Sequence, residues 1–420
     1  MRKFVGLFLI VLLSFVLLQC SQTTEPENTV DEPVRTPAQL TSTEQTLLGS
    51  TNRFGFKLFQ AVNEITPDNE NVFISPLSVS YALGMTLNGA EGPTFDSMAA
   101  VLEHNGLTLQ EINDAYHNLT AILTAADPAV VFTIANSIWS RAGKEIQPDF
   151  VANCQDYFDA LVRVMDFPNP ADTINQWVAD NTNDKIKEVI KPPIPGDIAM
   201  LLINAIYFKG DWRIPFDTTE TVPGKFYPAG GGDIDCDYML KASEEDTTLR
   251  YYENDLFQAV TIPYGDRGFA MTFFLPKGVN TVDDIAGQMN ETNWNTWMGS
   301  FNESIFELAV PKFKLSFKVD LKTILSAMGM ANAFAPALAD FSNMFVDGVG
   351  WIDQVKHQTF IQVDEKGTEA AAVTVVVMID SLPQTITFNR PFLFVIHEQV
   401  SGTVLFMGKI AEPQWEDENR

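Results

Sequence analysis

The segment that most constrains the fold is an uncharged, β-branched stretch late in the chain. It lies between Gly367 and the sequence Asp380-Ser381-Leu382-Pro383, and no charged residue interrupts positions 370–379. Its valines favour a strand, and Ala370 and Ala372 supply small side chains at alternate positions. An apolar, proline-free segment of this kind is an aggregation hazard on a free sheet edge. The sequence therefore predicts a strand that needs a slot in a sheet or a burial site from the start.

Length and composition limit the fold classes and the partners that are open to the rest of the chain. With 420 residues, 46% of them hydrophobic and 11% aromatic, the chain has enough apolar surface for a sizeable core. Apolar runs are spread over residues 44–414 without a polar linker or an internal repeat. This pattern indicates one domain, followed by an acidic tail at 415–420. The formal net charge of −27 argues against nucleic acid as a partner.

The N-terminus has the pattern of an export signal. Two basic residues precede an apolar run that is short for a membrane span, so residues 1–19 are predicted to be a signal peptide. Leu17-Leu18-Gln19-Cys20 looks like a bacterial lipobox with Cys20 as the lipidated residue; an ordinary secretory signal is the alternative. Residues 20–43 lack aromatic side chains and predict a disordered acidic tether. We expect an extracellular, cell-surface or outer-membrane lipoprotein of a bacterium, which contacts membrane only through this anchor.

Helical and strand-like patterns alternate along the predicted domain. Helices are predicted at residues 76–87, 172–190 and 319–328. Strands are predicted at residues 132–139, 200–208, 259–263, 269–275, 304–310 and 358–363. The mixture predicts an α+β fold with large, mainly antiparallel sheets.

No catalytic constellation emerges from the sequence. The chain has 4 histidines and lacks a nucleophile elbow, a zinc-protease motif and a Cys-x-x-Cys pair. We therefore expect neither an enzyme nor a cofactor or metal site. The glycine run 230–232 is interpreted as a hairpin turn. Cys154 and Cys236 are either free thiols or a disulfide, and spacing alone leaves both readings open.

Six motifs in order resemble the serpin family of serine protease inhibitors over about residues 46–413. They are NVFISPLS at 71–78, INAIYFKGDW at 203–212, AVPKFK at 309–314, EKGTEAAA at 365–372, FNRPFLF at 388–394 and GTVLFMGKI at 402–410. The resemblance implies three mainly antiparallel β-sheets, eight or nine helices and an exposed reactive-centre loop. It also implies an irreversible suicide-substrate inhibitor of serine, and also of cysteine, endopeptidases, which traps the acyl-enzyme by inserting its loop into the central sheet.

The resemblance also implies roles for individual residues. The hinge that enters the sheet consists of Glu365, Gly367, Thr368, Glu369, Ala370, Ala371 and Ala372. A buried polar cluster called the shutter consists of Ser75, Ser78, Asn204 and His357. Trp212 lies at the breach, where the loop first enters. Glu111 and Asp114 stand where polyanion-activated members carry basic residues, so no heparin-type cofactor is expected.

The target is predicted from the loop. Counting from Glu365 gives the scissile bond Ser381-Leu382, counting back from the 388–394 motif gives Asp380-Ser381, and Met378 is a further candidate. No Lys or Arg lies between positions 366 and 390, which disfavours trypsin-like proteases and favours elastase-, subtilisin- or chymotrypsin-like ones. A monomer is expected. The alternative function is a non-inhibitory serpin that acts as a binding or chaperone-like surface lipoprotein.

Overall fold

A computed structural model describes residues 40–166, 171–195, 198–242, 249–304, 306–368 and 385–415. Its helices are α1 Ser42–Ile65, α2 Pro76–Leu87, α3 Gly92–Val101, α4 Leu109–Thr124, α5 Pro148–Phe158, α6 Ala171–Asn181, α7 Val282–Gln288, α8 Glu291–Met298 and α9, which joins Lys322–Leu325, the π-helical turn Ser326–Met330 and Ala331–Phe334. None of these helices combines the length and the apolar composition that a membrane span requires.

The strands alternate with these helices along the chain. They are β1 Val72–Ile74, β2 Val130–Arg141, β3 Leu161–Met165, β4 Met200–Asp211, β5 Val222–Phe226, β6 Ile234–Ala242, β7 Arg250–Glu253, β8 Phe257–Pro263, β9 Phe269–Pro276, β10 Asn302–Glu303, β11 Glu307–Pro311, β12 Phe313–Asp320, β13 Lys356–Val363, β14 Gly367–Thr368, β15 Thr385–Thr387, β16 Phe392–Glu398 and β17 Val404–Ile410.

Within the described ranges these strands form four hydrogen-bonded sheets. One has seven strands in the order β1-β17-β16-β9-β8-β7-β10, and a second has the order β15-β11-β6-β5. A third, here called the hinge sheet, has the order β14-β4-β2-β3, and β12 pairs separately with β13. Only β2 with β3 and β11 with β15 run parallel among the pairs in these sheets. The predicted α+β architecture with mainly antiparallel sheets is confirmed.

Capping residues explain where the helices nearest the site begin. The Thr41 side chain accepts a hydrogen bond from the Glu44 N–H, and the Glu44 carboxylate accepts the Thr41 N–H in return, which starts α1. At α2 the Ser75 hydroxyl accepts the Ser78 N–H, and Pro76 occupies the first turn. The cap of α2 therefore fixes two serines at one helix end, beside the strands described below.

Three predicted boundaries are wrong for local reasons, although the predicted helix 76–87 is confirmed at both ends. The helix predicted at 172–190 ends at Asn181, because Asn183 and Asp184 adopt positive φ values of 49° and 59°. The helix predicted at 319–328 begins only at Lys322, because Val319 pairs with β13. The strand predicted at 304–310 begins at Glu307, and the glycine run 230–232 forms the predicted turn between β5 and β6.

Two apolar clusters support the hinge sheet from opposite sides. The larger lies among α1, α2 and the seven-stranded sheet and includes Phe208 of β4. The smaller lies beneath α6 and includes Trp139, Ile174 and Ile203. Side chains alternate along β4, so its two faces contact different clusters.

Candidate functional site

The end of β13 turns back sharply to pair with β4. The Asp364 N–H donates to the Gly367 carbonyl at 3.1 Å, and the two residues of β14 then run antiparallel to β4. In this register Gly367 lies opposite Asp211 and Thr368 opposite Gly210. The first residues of the predicted hinge therefore already occupy a strand position in the hinge sheet.

Only glycine fits at position 367. Its φ is +145°, a conformation that side-chain-bearing L-residues rarely adopt. A Cβ added there would lie 2.2 Å from the Gly210 carbonyl oxygen, 2.6 Å from the Asp211 Cα and 2.7 Å from the Trp212 nitrogen. These are backbone atoms, so no side-chain rotation relieves the overlap. The close approach of two backbones is what the glycine permits.

Trp212 holds the turn from the side of β4. Its backbone N–H donates to the Lys366 carbonyl at 2.6 Å, and its indole Nε1–H donates to the Asp364 carbonyl at 2.9 Å. The indole stacks on Tyr264 with ring centroids 4.5 Å apart, and the Tyr264 hydroxyl lies 3.1 Å from the Thr368 Oγ1. The side chains of Trp212, Tyr264 and Thr368 are buried. Trp212 therefore holds the turn at Gly367 through two hydrogen bonds.

Glu365 anchors the same turn from the other side. One carboxylate oxygen accepts the Thr221 hydroxyl at 2.7 Å and the other lies 3.0 Å from the Lys312 Nζ. Its backbone carbonyl accepts the Phe216 N–H at 2.6 Å. Burial opposes ionisation, but the hydrogen bond from Thr221 and the ammonium of Lys312 outweigh it, so the pKa of Glu365 lies below its usual value. The turn is therefore fixed by an ionised glutamate.

The four predicted shutter residues lie together around the start of α2. The Ser75 N–H donates to His357 Nε2 at 2.9 Å, which connects α2 to β13. The Ser78 hydroxyl donates to the Asn204 Oδ1, which connects α2 to β4. Asn204 in turn donates to the Asn136 Oδ1 of β2 at 2.7 Å. The start of α2 therefore links the two strands, whereas no hydrogen bond joins Asn204 to His357 among the described contacts.

His357 is held in its neutral form. Burial lowers its pKa to about 4, because the ring loses its hydration in this position. A neutral ring that accepts the Ser75 N–H at Nε2 carries its proton on Nδ1. The histidine is therefore a hydrogen-bond acceptor at neutral pH.

A gap separates β4 from β13 beyond Thr368. Within the described ranges β4 pairs along its length with β2, and on its other edge only with the two residues of β14. A cavity of ≈ 400 Å³ lies between the two strands and is lined by residues of both, by Thr368 and by the shutter. Two facing strand edges separated by such a gap form a template for one more strand.

Several predicted site residues lie outside the described residues. They are Cys20, Glu369, Ala370, Ala371, Ala372, Met378, Asp380, Ser381 and Leu382. Cys154 and Cys236 are both free thiols, so the disulfide alternative is wrong. Burial raises the pKa of Cys154 above its ordinary value, which makes it unreactive.

Sequence reasoning missed four residues that hold the site: Asn136, Thr221, Tyr264 and Lys312. Asn136 lies in a predicted strand and is 3% exposed, and an asparagine inside an apolar strand is a signal that could have been used. Lys312 lies in a recognised motif, but its partner is more than fifty positions away. Long-range ion pairs of this kind have no local signal.

Comparisons with known proteins agree with this geometry. A family model described as "Serpin (serine protease inhibitor)" matches residues 49–413. An uncharacterized serpin-like protein of Methanosarcina acetivorans is 31% identical over 395 residues, which cover 88% of this chain and 89% of that protein. Members of this family are generally protease inhibitors rather than enzymes.

Solved structures give the same result. The thermophilic serpin tengpin in its native state superimposes with a TM-score of 0.80 at 27% identity, covering 90% of this chain and 96% of tengpin. Human thyroxine-binding globulin has a TM-score of 0.79 at 25% identity, with coverage of 89% and 100%. Native protease nexin-1 with heparin has a TM-score of 0.79 at 27% identity, with coverage of 88% and 100%. The chain therefore belongs to the serpin family and has the serpin fold.

Proposed function

We propose that this serpin is an irreversible inhibitor that traps serine endopeptidases by inserting its reactive loop beside β4. The observation that carries the proposal is the buried turn at Gly367, which directs Thr368 into a strand position between β4 and β13. A protease that attacks the loop forms an acyl-enzyme. Insertion then displaces the attached protease before hydrolysis is complete.

The register of β14 predicts how the loop would insert. Because Thr368 pairs with Gly210, continuing the antiparallel ladder places Ala370 opposite Phe208 and Ala372 opposite Ile206. Directly opposed residues point to the same face, so these alanines would face the larger apolar cluster. The ladder would end with position 378 opposite Met200, the first residue of β4.

The energetics favour this strand. About eleven residues at roughly 3.3 Å each make a strand about 36 Å long, with main-chain hydrogen bonds to β4 and β13. The uncharged residues 370–379 leave water at the same time. Small side chains fit the inner face, which is why Ala370 and Ala372 suit an inserting segment better than a permanently exposed one.

The target and the location of the protein belong to the same proposal. The absence of Lys and Arg from positions 367–389 favours elastase-, subtilisin- or chymotrypsin-like proteases over trypsin-like ones. Asp380, Ser381 and Met378 are the candidate residues before the scissile bond. We further propose export, with lipidation at Cys20, action as a monomer and no polyanion cofactor, since helix α4 carries Glu111 and Asp114 and neither Lys nor Arg.

A non-inhibitory binding serpin is the second candidate. The similarity to thyroxine-binding globulin favours it, because that protein has the same fold and is named for a small ligand. The hinge favours inhibition instead: a turn that only glycine can make and a buried Thr368 serve no purpose in a loop that stays outside the sheet.

Mixing the full chain with elastase, subtilisin, chymotrypsin and trypsin tests the proposal. We expect a covalent complex that survives SDS with at least one of the first three, and mass spectrometry of the released C-terminal peptide identifies the scissile bond. The matched variant Ala370→Arg should be cleaved at the same bond without a complex. Cleavage of the natural chain without a complex, and without a gain in melting temperature, would rule out insertion.

A further inference from the structure

The chain segment that follows β17 is hydrogen-bonded to Asn71 and to Lys314 at the start of β12. Asn71 holds it first: its Oδ1 accepts the N–H groups of Ala411 and Glu412 at 2.8 and 3.0 Å, and its Nδ2 donates to the Glu412 carbonyl at 2.8 Å. The Lys314 N–H then donates to the Gln414 carbonyl at 2.7 Å. Four hydrogen bonds thus determine where the next residue, Trp415, lies.

Trp415 covers two lysines of this edge. The Nζ atoms of Lys312 and Lys314 each lie 4.6 Å from the ring centroid of Trp415. This distance is within the range of a cation–π interaction, for which tryptophan is the best aromatic partner. Lys312 is the lysine that pairs with Glu365, and the side chains of this pair are 19% and 9% exposed. The indole, the ammonium and the hinge carboxylate therefore form one connected group.

We infer that Trp415 is a positioning residue for the hinge, which holds Lys312 against Glu365 and so controls how readily the turn at Gly367 separates from β4. The inference rests on the proposed function, because the rate of hinge movement matters only if the loop inserts. An indole over the ammonium excludes water from the ion pair and limits the rotamers of a flexible lysine. Without the indole, the Lys312 ammonium leaves Glu365 and becomes hydrated more often.

Hydrogen exchange of two amides measures hinge opening directly and without any protease. The N–H groups of Trp212 and Phe216 donate to the carbonyls of Lys366 and Glu365, so they exchange when the turn separates from its neighbours. In Trp415→Ala we expect their exchange to accelerate by about two- to fivefold, the range that loss of one partly exposed cation–π contact gives. Trp415→Phe, which keeps a ring, should restore most of the protection.

A double-variant cycle separates positioning from general destabilisation. If Trp415 acts through Lys312, Trp415→Ala should have almost no further effect in a Lys312→Gln background. Unchanged protection of the buried strand β9 controls for folding in every variant. Equal exchange in Trp415→Ala and the natural chain, or the same acceleration on the Lys312→Gln background, would overturn the inference. A natural chain that traps no protease while its hinge amides respond as expected would instead refute the proposed function alone.

Discussion

Replacing Gly367 by alanine tests whether the observed turn is required for loop insertion. The added Cβ would lie 2.2 Å from the Gly210 carbonyl oxygen and 2.7 Å from the Trp212 nitrogen. The Gly210 carbonyl belongs to β4 and the Trp212 nitrogen directly follows this strand, which is paired with β2 from Met200 to Gly210 and cannot retreat. The turn itself must therefore move away from β4.

The free-energy cost of Gly367→Ala follows from the interactions that this movement breaks. Holding a non-glycine residue at a φ of +145° costs about 1–3 kcal/mol. Displacing the turn instead loses the hydrogen bond from the Trp212 N–H to the Lys366 carbonyl, worth about 0.5–1.5 kcal/mol, and the start of the β14 ladder. We expect about 1–3 kcal/mol against the observed hinge, which is roughly a 5- to 150-fold change in its population.

The assay measures how each variant divides between trapping the protease and being cleaved as a simple substrate. Subtilisin or elastase is mixed with each variant, and the fractions of SDS-stable complex and of cleaved free serpin are measured. We expect Gly367→Ala to give mainly cleaved serpin, whose melting temperature rises less than that of the cleaved natural chain. Gly230→Ala is the matched control, because its Cβ would meet nothing within 4 Å. The same complex yield and the same gain in melting temperature in Gly367→Ala would refute the steric reasoning.

Three further perturbations have expected outcomes. Because the pKa of His357 falls from an ordinary 6.5 to about 4 on folding, this histidine should lower the free energy of unfolding by about 1.4 kcal/mol per pH unit from pH 6.5 towards 4. Burial also lowers the pKa of His104 to about 3 and that of His397 to about 4, so in acid titrations His357→Gln should reduce the slope by the share of one histidine and leave the rest. Asn136→Ala should lower stability by about 2–4 kcal/mol in urea unfolding by leaving buried partners unsatisfied, whereas Asn118→Ala, at an exposed position of α4, should cost under about 1 kcal/mol. Ala370→Arg should convert inhibition into simple cleavage, and a variant that still traps would contradict the predicted inward face.

Much of the fold was predictable because its signals are local. The helix 76–87 was bounded correctly, since a serine cap and a proline mark its start and its apolar residues continue to Leu87. The helix predicted at 172–190 was too long, because its apolar positions continue past Asn181 while the backbone leaves the helix. The spacing of apolar residues indicates which positions are buried, and the buried residues of an irregular segment can show the same spacing as a helix.

Most of the candidate site is predictable because motifs contain its residues. The shutter residues lie together because the motifs at 71–78 and 203–212 and the strand that carries His357 converge on the start of α2, which no single segment of the sequence indicates. The contacts that determine hinge geometry, Tyr264 with Thr368 and Lys312 with Glu365, join residues far apart in the chain. Which of these distant residues contact each other depends on the packing of the folded chain, and packing leaves no recognisable pattern in a single sequence.

The hinge pairs with the end of β4 at Gly210 and Asp211, whereas the shutter residue Asn204 lies nearer the start of the same strand. An inserting loop would therefore pass the hinge position before it reaches the shutter. The proposed insertion would begin where Thr368 faces Gly210 and would reach Asn204 only after six more residues, if the ladder continues in the observed register. At that point position 374, a threonine, would lie opposite Asn204, beside the hydrogen bond from Ser78. Hinge variants should therefore change how often insertion starts, whereas shutter variants should change how often it is completed once begun. Rapid-mixing measurements on Gly367→Ala and Ser78→Ala should separate these two effects, because only the second should allow a partly inserted loop to accumulate.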